Sequence, residues 1–319
     1  MISVVMSVYN EKIEWLEQAV NSILIQTYTD FEFIIICDNP NIEYKTREYL
    51  EQLDINNSKV KVLWNKKNMG LASSLNRGIE CARGDYIARM DADDISDRER
   101  LQRELEFMIR CKYDMVSTNK INIDENGKII SIDSYIIKNP NELLMYGNMI
   151  IHSSVLVKRN VLNILGGYRK LVNSEDWDLW LRMIEQSYVI GILNEPLLLY
   201  RVRSNSASIG RQLQQFYISQ YIIKMYKERI RLGYDSFSEK SMVDFLKNKK
   251  ITKKKQEKFS KSYYHIQQAL ENRDNRRWML CIIEIGKAGV LFPELAFRDL
   301  SNYVKIKIFY NMKKRLSRR

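Results

Sequence analysis

Apolar runs alternate with stretches of helical periodicity in the first part of the chain. The apolar runs are rich in β-branched residues and end at turn residues, which is typical of buried strands. Between them, apolar residues recur at the spacing of one helix face. This alternation predicts βαβ units, and therefore a parallel sheet with helices on both faces. The predicted strands are Ile2–Val8, Phe31–Cys37, Val60–Trp64 and Asp85–Met90.

The pattern changes after a helix predicted over Arg98–Cys111. Asn126-Gly127 separates two short apolar segments and predicts a β-hairpin. From about Gly210 the strand signals end and long helical patterns follow, so we expect two regions, residues 1–210 and 211–319, with a boundary near 205–215. The later strands are predicted at Met115–Asn122, Lys128–Ile132, Ser153–Val157 and Leu197–Val202.

The balance of charged residues changes near the same boundary. The 319 residues carry a formal net charge of +12. Residues 211–319 hold 26 Lys+Arg against 10 Asp+Glu, a balance of +16, which leaves residues 1–210 at −4. No apolar run approaches the roughly 18 residues of a membrane span. Because the N-terminus also lacks a basic leader, we expect a cytoplasmic protein.

Some classes of site are not expected from the motifs. The four cysteines are far apart, without a CxxC pair, and the chain has two histidines, so we expect free thiols and no zinc site. Neither a GxGxxG after the first strand nor a GxxxxGK[ST] occurs, which argues against dinucleotide and P-loop sites.

The main chemical signal is a group of three carboxylates, Asp91, Asp93 and Asp94, directly after a predicted strand. Such proximity is unfavourable unless a cation or a hydrogen-bonding ligand neutralises the charge. On an extended chain Asp91 and Asp93 project to the same side. That arrangement suits a divalent cation that keeps positions open for a phosphate. From these residues alone, an acidic turn before the helix starting near Asp97 is the alternative.

Ligands of open α/β sheets bind beyond the carboxyl ends of the strands. The acidic group stands at one such end. The other segments expected there are Ser7–Asn10, Asp38–Pro40 and Asn65–Gly70.

Several segments occur in a fixed order along the first part of the chain: Val4–Asn10, Ser22–Tyr28 with Asp30–Glu32, Asn68–Gly70, Ala82–Ala88, the DxD at Asp91–Asp93 and Glu175–Asp178. In this order they resemble the motifs of the family-2 glycosyltransferases, which have the GT-A fold, over roughly residues 1–210. The resemblance implies an α/β protein with a mostly parallel sheet flanked by helices, followed here by a helical C-terminal region. It also implies transfer of a sugar from a nucleotide-diphosphate donor, expected to be a UDP-sugar, to an acceptor hydroxyl in surface, capsular or exopolysaccharide biosynthesis.

For the reacting groups, the resemblance implies specific roles. Asp93, with Asp91, would bind Mn²⁺ or Mg²⁺, and Asp91 would alternatively contact the ribose hydroxyls. Asp176 would be the catalytic base of an inverting reaction. Glu175 would orient the acceptor, and Trp177 would pack against a sugar face.

For the donor, the resemblance places the nucleotide across the first two strand ends. Ser7 and Tyr9 would contact the base, Asp38 would hold the uracil ring, and Asn68 would also contact the donor. The segment Cys37–Pro40 departs from the family's usual Asp-Asp-Gly-Ser, which makes the nucleotide less certain to be UDP.

Two further positions concern the metal and phosphates. Arg203 stands where many relatives have a histidine; an arginine does not ligate metals but binds phosphate through its planar fork. His152 is expected to be structural. Alternatives at the level of function are a GT-A protein that acts as a non-catalytic binding or regulatory partner, and a nucleotidyltransferase.

The C-terminal region matches no recognised motif. Residues 304–319 mix apolar residues with seven basic ones, a pattern that favours a helix on an anionic membrane surface. Such a helix would place the protein at the inner face of the plasma membrane, near a saccharide or lipid-linked saccharide acceptor. A solvated charged tail is the alternative. Nucleic acid is not an expected partner, because it would leave the acidic motifs unexplained.

Overall fold

The computed structural model describes residues 1–133, 136–137, 139–203 and 212–316, with side chains described as far as residue 306. The strands are β1 (Ile2–Val8), β2 (Phe31–Cys37), β3 (Val60–Trp64), β4 (Tyr86–Asp91), β5 (Ile95–Ser96), β6 (Met115–Ile123), β7 (Ile129–Ile132), β8 (Leu156–Lys158) and β9 (Ile190–Arg201). The first seven helices are α1 (Ile13–Leu24), α2 (Tyr44–Asn56), α3 (Leu71–Cys81), α4 (Arg100–Cys111), α5 (Pro140–Leu143), α6 (Arg159–Leu165) and α7 (Glu175–Glu185). The later helices are α8 (Gln212–Leu232), α9 (Glu239–Asn248), α10 (Lys253–Asp274), α11 (Trp278–Leu291) and α12 (Pro293–Leu316).

The chain forms two compact units. The sheet unit comprises Met1–Ser206 and Met225–Asp235, and the helical unit comprises Ala207–Lys224 and Ser236–Arg319. The end of α8 therefore belongs to the sheet unit although it follows the predicted boundary. Over the described residues, no helix combines the length and the apolar character needed to cross a membrane.

One continuous sheet has the strand order β3-β2-β1-β4-β8-β6-β9-β5, with β7 paired to β6. The expected parallel arrangement is confirmed for β1 to β4, where β1 pairs in parallel with β2 and β4, and β2 with β3. Beyond β4 the sheet is mixed: β8 is antiparallel to both β4 and β6, whereas β6 and β9 are parallel. The predicted hairpin is confirmed as the antiparallel pair β6–β7. The sheet is therefore parallel from β1 to β4, as expected, and mixed beyond β4, where β6 and β9 again pair in parallel.

Two predicted strands have different bounds. The segment predicted as a strand from Ser153 starts as a 3-10 turn, and the strand itself is β8. Strand β9 begins at Ile190, before the predicted start at Leu197. Pro196 interrupts its apolar pattern, and the register with β6 shifts near this point. A proline within a strand and a bulge both hide strand character in sequence.

The sheet unit is built on β1 and β2, whose apolar side chains are almost wholly buried. Leu16, Val20 and Ile23 of α1 contribute to the same core. The helical unit has its own core around Phe216, Phe259 and Phe292, whose ring centroids lie 5.2–5.8 Å apart. Two apolar cores are consistent with the division into two units.

A close backbone approach at Gly84 tests the packing of β1 beside the turn into β4. A Cβ atom there would lie 2.7 Å from the Ser3 amide nitrogen and 2.8 Å from the Met1 carbonyl oxygen. We expect Gly84→Ala to lower the free energy of unfolding by about 1–3 kcal/mol, since the backbone must shift. Gly147→Ala is the control, because no atom lies within 4 Å of its added Cβ. Equal urea denaturation midpoints for the two variants would contradict this packing.

Candidate active site

The acidic group lies at the end of β4 and in the turn that follows. One carboxylate oxygen from each of Asp91, Asp93 and Asp94 lies within 4.8 Å of the others. Burial and the neighbouring Asp91 charge raise the pKa of Asp93 to about 7. The pKa of Asp94 is raised well above its usual range by burial and by both neighbouring charges. The group therefore strongly favours a nearby positive charge.

Arginines and a backbone amide supply part of the neutralisation. Arg89 forms an ion pair with Asp91, and the Arg203 Nε lies 2.8 Å from the Asp93 Oδ2. The Arg201 amide donates to the Asp94 Oδ1 at 2.9 Å. The other oxygen of Asp94 is buried and makes no hydrogen bond of ordinary geometry among the described residues, although Ser153 lies near enough to lower the pKa of Asp94. Clustered hard oxygen ligands with an unpaired oxygen fit Mn²⁺ or Mg²⁺.

Buried arginines also hold the backbone of this turn in place. The Arg100 guanidinium donates to the Arg89 carbonyl at 3.2 Å and to the Ser153 carbonyl at 2.9 Å. The Arg201 Nε donates to the Asp93 carbonyl at 2.8 Å. The turn is therefore tied to α4 and to the end of β9, which limits its freedom to move away from the sheet edge.

Asp176 lies in the first turn of α7. Its Oδ2 accepts from the Asn148 Nδ2 at 2.7 Å, and its Oδ1 accepts from the Trp177 amide at 2.7 Å. Burial raises the pKa of Asp176, and these hydrogen bonds oppose the rise. The neighbouring Glu175 is buried, and burial together with the Asp176 charge raises its pKa to about 7.

A cleft of about 430 Å³ brings the two acidic regions together. Asp91 and Asp176 both line it, whereas Asp93 lies outside the lining and is paired with Arg203. Other lining residues include Lys120, Asp133, Asn148, His152 and Tyr200. One cleft thus carries Asp91 of the acidic group together with the predicted base.

Five charged side chains fix the position of α7. The buried Asp178 carboxylate lies 2.8 Å from the Arg182 Nε and within 3.8 Å of Arg169 and Arg229. Arg229 also pairs with Glu185 at 2.6 Å. Residues 225–235, which carry Arg229, thereby join the sheet unit. The sequence analysis missed this contact, since nothing in the residues around Arg229 points to a partner 51 positions earlier.

On the donor side of the sheet edge, Asp38 is buried and already hydrogen bonded. Its Oδ1 accepts from the Asn65 Nδ2 and the Met69 amide, each at 2.7 Å, and its Oδ2 accepts from the Gly70 amide at 2.8 Å. Asn68 is exposed, and its side chain accepts from the Gly70 amide at 3.0 Å. In this structure Asp38 shapes the loop that follows β3.

Ser7 and Tyr9 lie at the end of β1. Ser7 is opposite Asp91 in the parallel register of β1 and β4. Tyr9 is about half exposed, and its carbonyl accepts from the Asn39 Nδ2 at 2.9 Å. The structure therefore places Ser7 beside the acidic group and leaves the Tyr9 ring accessible.

Two aromatic contacts bear on the expected roles of Trp177 and His152. The Trp177 indole is buried and donates to the Leu144 carbonyl at 2.8 Å, so it presents no open face to a sugar. The His152 Nε2 lies 3.0 Å from the Tyr168 hydroxyl. Burial and the Arg89 charge hold the pKa of His152 well below its usual range, so it is a neutral member of the cleft wall.

Lys120 is a cleft residue that the sequence analysis did not select. Its Nζ lies 3.9 Å from the Tyr200 ring centroid and 4.0 Å from the Asp133 Oδ2. It belongs to β6, and a single lysine within a strand carries no motif. Only the pairing of β6 with β9 brings it beside Tyr200.

Comparison with known proteins identifies the family of this chain. The model of the family "Glycosyl transferase family 2" matches residues 3–160. An uncharacterized glycosyltransferase of Methanocaldococcus jannaschii is 34% identical over 70% of this chain and 78% of its own. The Escherichia coli O-antigen biosynthesis glycosyltransferase WbnJ is 30% identical over 85% of this chain and 96% of its own. The chain therefore belongs to glycosyltransferase family 2, as predicted.

Solved structures confirm the fold. Staphylococcus aureus TarS 1–349 in complex with UDP-GlcNAc matches with a TM-score of 0.58 at 16% identity, over 98% of this chain and 92% of the other. The mannosyltransferase PcManGT from Pyrobaculum calidifontis in complex with GDP-Man and Mn²⁺ matches with a TM-score of 0.57 at 14% identity, over 96% and 80%. The predicted GT-A-type fold with a helical C-terminal region is thus confirmed.

The raised pKa of Glu175 predicts a pH dependence of stability. Because the folded-state pKa of about 7 exceeds the ordinary value of 4.5, the native state binds more protons between these values. The free energy of unfolding should therefore fall as pH rises through this window, by about 3 kcal/mol from this group. Glu175→Gln should lack that fall, whereas Glu48→Gln, at an exposed position, should retain it. Urea denaturation from pH 4.5 to 8 measures the difference, and parallel curves for all three proteins would refute it.

Proposed function

We propose that the protein is an inverting, metal-dependent glycosyltransferase that moves a sugar from a UDP-sugar to an acceptor hydroxyl in polysaccharide biosynthesis. The observation that carries the proposal is the shared cleft, which is lined by both Asp91 and Asp176. Family membership supports sugar transfer. The E. coli relative named for O-antigen biosynthesis and the TarS complex with UDP-GlcNAc support this acceptor class and this donor.

In this proposal Asp93 and Asp91, with Asp94 beside them, hold Mn²⁺ or Mg²⁺. When bound, the cation neutralises negative charge that develops on the leaving diphosphate. The fit rests on the 4.8 Å grouping of the oxygens and on the unpaired oxygen of Asp94. PcManGT, which shares the fold, was solved with Mn²⁺.

Arg203 has a second role in the proposal. It is paired with Asp93 in this structure. Its planar, charged guanidinium would also suit the diphosphate of the donor, which it would bind in a forked, charge-assisted way. Arg203 would then take part in donor binding where many relatives have a histidine.

Asp176 acts as the base that takes the proton from the acceptor hydroxyl. Asn148 and the Trp177 amide hold its two oxygens, so its orientation in the cleft is defined. Glu175 orients the acceptor. Trp177 is a positioning residue: its buried indole donates to the Leu144 carbonyl and holds the start of α7 in place.

The nucleotide lies along the ends of β1 and β2. The accessible Tyr9 ring offers a face to the base, and Ser7 lies opposite Asp91, toward the phosphates. Asn68 and the buried Asp38 complete this side. Asp38 already accepts three hydrogen bonds. Its contact with a uracil ring would therefore add to, or replace, one of these.

Asp93→Asn tests the metal site. We expect it to lower turnover by at least about 100-fold and to weaken the Mn²⁺-dependent part of UDP binding, since a neutral amide is a poor ligand for a divalent cation. The readouts are UDP release with a panel of donors and calorimetric UDP titration with and without Mn²⁺. Asp85→Asn, an exposed change at the other end of the same strand, is the control. Unchanged turnover in Asp93→Asn would refute the metal role.

Asp176→Asn tests the base. Loss of a general base typically costs 10²–10⁴-fold in rate. An interaction made in the transition state should lower kcat more than it raises KM. We therefore expect near-normal UDP-sugar affinity and very slow transfer. If donor affinity fell as far as turnover, Asp176 would be a binding residue.

The product identifies the reaction class. Release of pyrophosphate instead of UDP by the unmodified protein would show nucleotidyl transfer and contradict sugar transfer.

A further inference from the structure

Helix α11 exposes a line of apolar side chains along one face. At 3.6 residues per turn, Met279, Ile282, Ile283, Gly286 and Val290 fall within one arc of about 100°. Met279, Ile282, Ile283 and Val290 are 78%, 70%, 45% and 86% exposed. We call these five residues the apolar stripe. A surface helix ordinarily turns its apolar side chains toward the core. The side chains of the apolar stripe instead face the solvent.

The other side of α11 is already occupied by the core of the helical unit. Cys281 and Ala288 are buried, and the Ser262 Oγ of α10 donates to the Ala288 carbonyl at 2.9 Å. The exposed side chains therefore are not needed to hold α11 in place. A contiguous exposed apolar surface on a folded protein marks an interaction site.

Charges around the stripe are mostly basic. Arg276 and Arg277 are exposed directly before α11. The one acidic residue of the helix, Glu284, is half-buried and hydrogen bonded to Lys287 and His265. The region from residue 211 onward carries 26 basic residues against 10 acidic ones. An occupant of this surface should therefore be apolar in its interior and negatively charged at its boundary.

We propose that the apolar stripe docks the protein on an anionic lipid bilayer. Apolar side chains would enter the acyl boundary, while Arg276 and Arg277 would contact lipid phosphates, as in interfacial helices. Trp278, 58% exposed at the start of α11, belongs to the residue type enriched at the headgroup level. This assigns membrane contact to α11 instead of residues 304–319.

A second copy of the chain is a poorer occupant. Two helical units with the same basic excess would repel each other. The 14 residues of α11 form a helix about 21 Å long and roughly 10 Å wide. One face of a single helix of this length falls short of the about 800 Å² per partner that a stable protein interface buries. Binding to a bilayer does not require so large a buried area from one helix, because electrostatic attraction to anionic lipids adds to the insertion of apolar side chains.

The test is sedimentation of the full chain with phosphatidylcholine vesicles, with and without about a third phosphatidylglycerol. We expect binding to the anionic vesicles that weakens as salt is raised. The double variant Ile282→Glu with Val290→Glu should bind at least about tenfold more weakly, since two side chains lose their burial in the acyl boundary. Ile55→Glu, an equally exposed change on α2, should bind as the unmodified protein does.

A second variant separates charge from apolar insertion. Arg276→Gln with Arg277→Gln should weaken binding to anionic vesicles and reduce its salt dependence. Unchanged thermal midpoints show that the variants are folded. Equal vesicle binding by unmodified protein and stripe variant, or equal binding to neutral and anionic vesicles, overturns the proposal. So does a dimer in sedimentation equilibrium that the stripe variant abolishes.

Docking through the apolar stripe would place the proposed sugar transfer at a membrane, and in this sense it rests on the proposed function. The two proposals are nevertheless tested by different measurements. UDP release in solution should be the same for the stripe variant and the unmodified protein, because no substituted residue lies in the cleft. Lost vesicle binding with intact UDP release confirms the docking role. Intact vesicle binding without any UDP release would count against the proposed function alone.

Discussion

Neutralisation of buried and half-buried carboxylates by arginine is the interaction on which the sheet unit depends. Asp91 is held by Arg89, Asp93 by Arg203, and Asp178 by Arg182 with two further arginines nearby. Removing one partner of a buried pair leaves an uncompensated charge, which typically costs about 3–5 kcal/mol. The same pairs set the positions of the groups that line the cleft. Stability and the geometry of the site therefore rest on the same contacts.

The arginine–carboxylate pairs differ in how far they are buried. Arg182 and Asp178 lie four residues apart on α7, and both are buried. Arg203 follows the end of β9 and its side chain is about one-third exposed, whereas its partner Asp93 is buried. A partly exposed pair is worth less than a buried one. The pair beneath α7 is therefore expected to contribute more to stability than the pair at the acidic group.

Local pattern was enough to predict some parts of this protein. Strands β1 and β2 are mostly apolar and almost wholly buried, because both faces of the sheet are covered there, and the bounds of β1 to β3 follow directly from the sequence. The residue types at Asp91, Asp93 and Asp176 carry chemistry that is recognisable without a structure. Strand β9 was only half predicted, because Pro196 and a register shift interrupt its pattern.

Other features depend on contacts between distant residues, which a single sequence does not display. Asp38 was expected to face a ligand, yet it accepts three hydrogen bonds from Asn65, Met69 and Gly70. Lys120 reaches the cleft only through the pairing of β6 with β9. In both cases the sequence gives the type of the residue, but it does not predict which distant residues the side chain contacts.

The return of residues 225–235 to the sheet unit has a consequence for synthesis on the ribosome. Arg229 completes the set of charges around Asp178, so α7 cannot reach its final support until the chain has grown past that residue. A nascent chain that has released only the first 210 residues already contains every carboxylate of the cleft but lacks this arginine. The shortest fragment that can fold the sheet unit as described here therefore extends to Asp235.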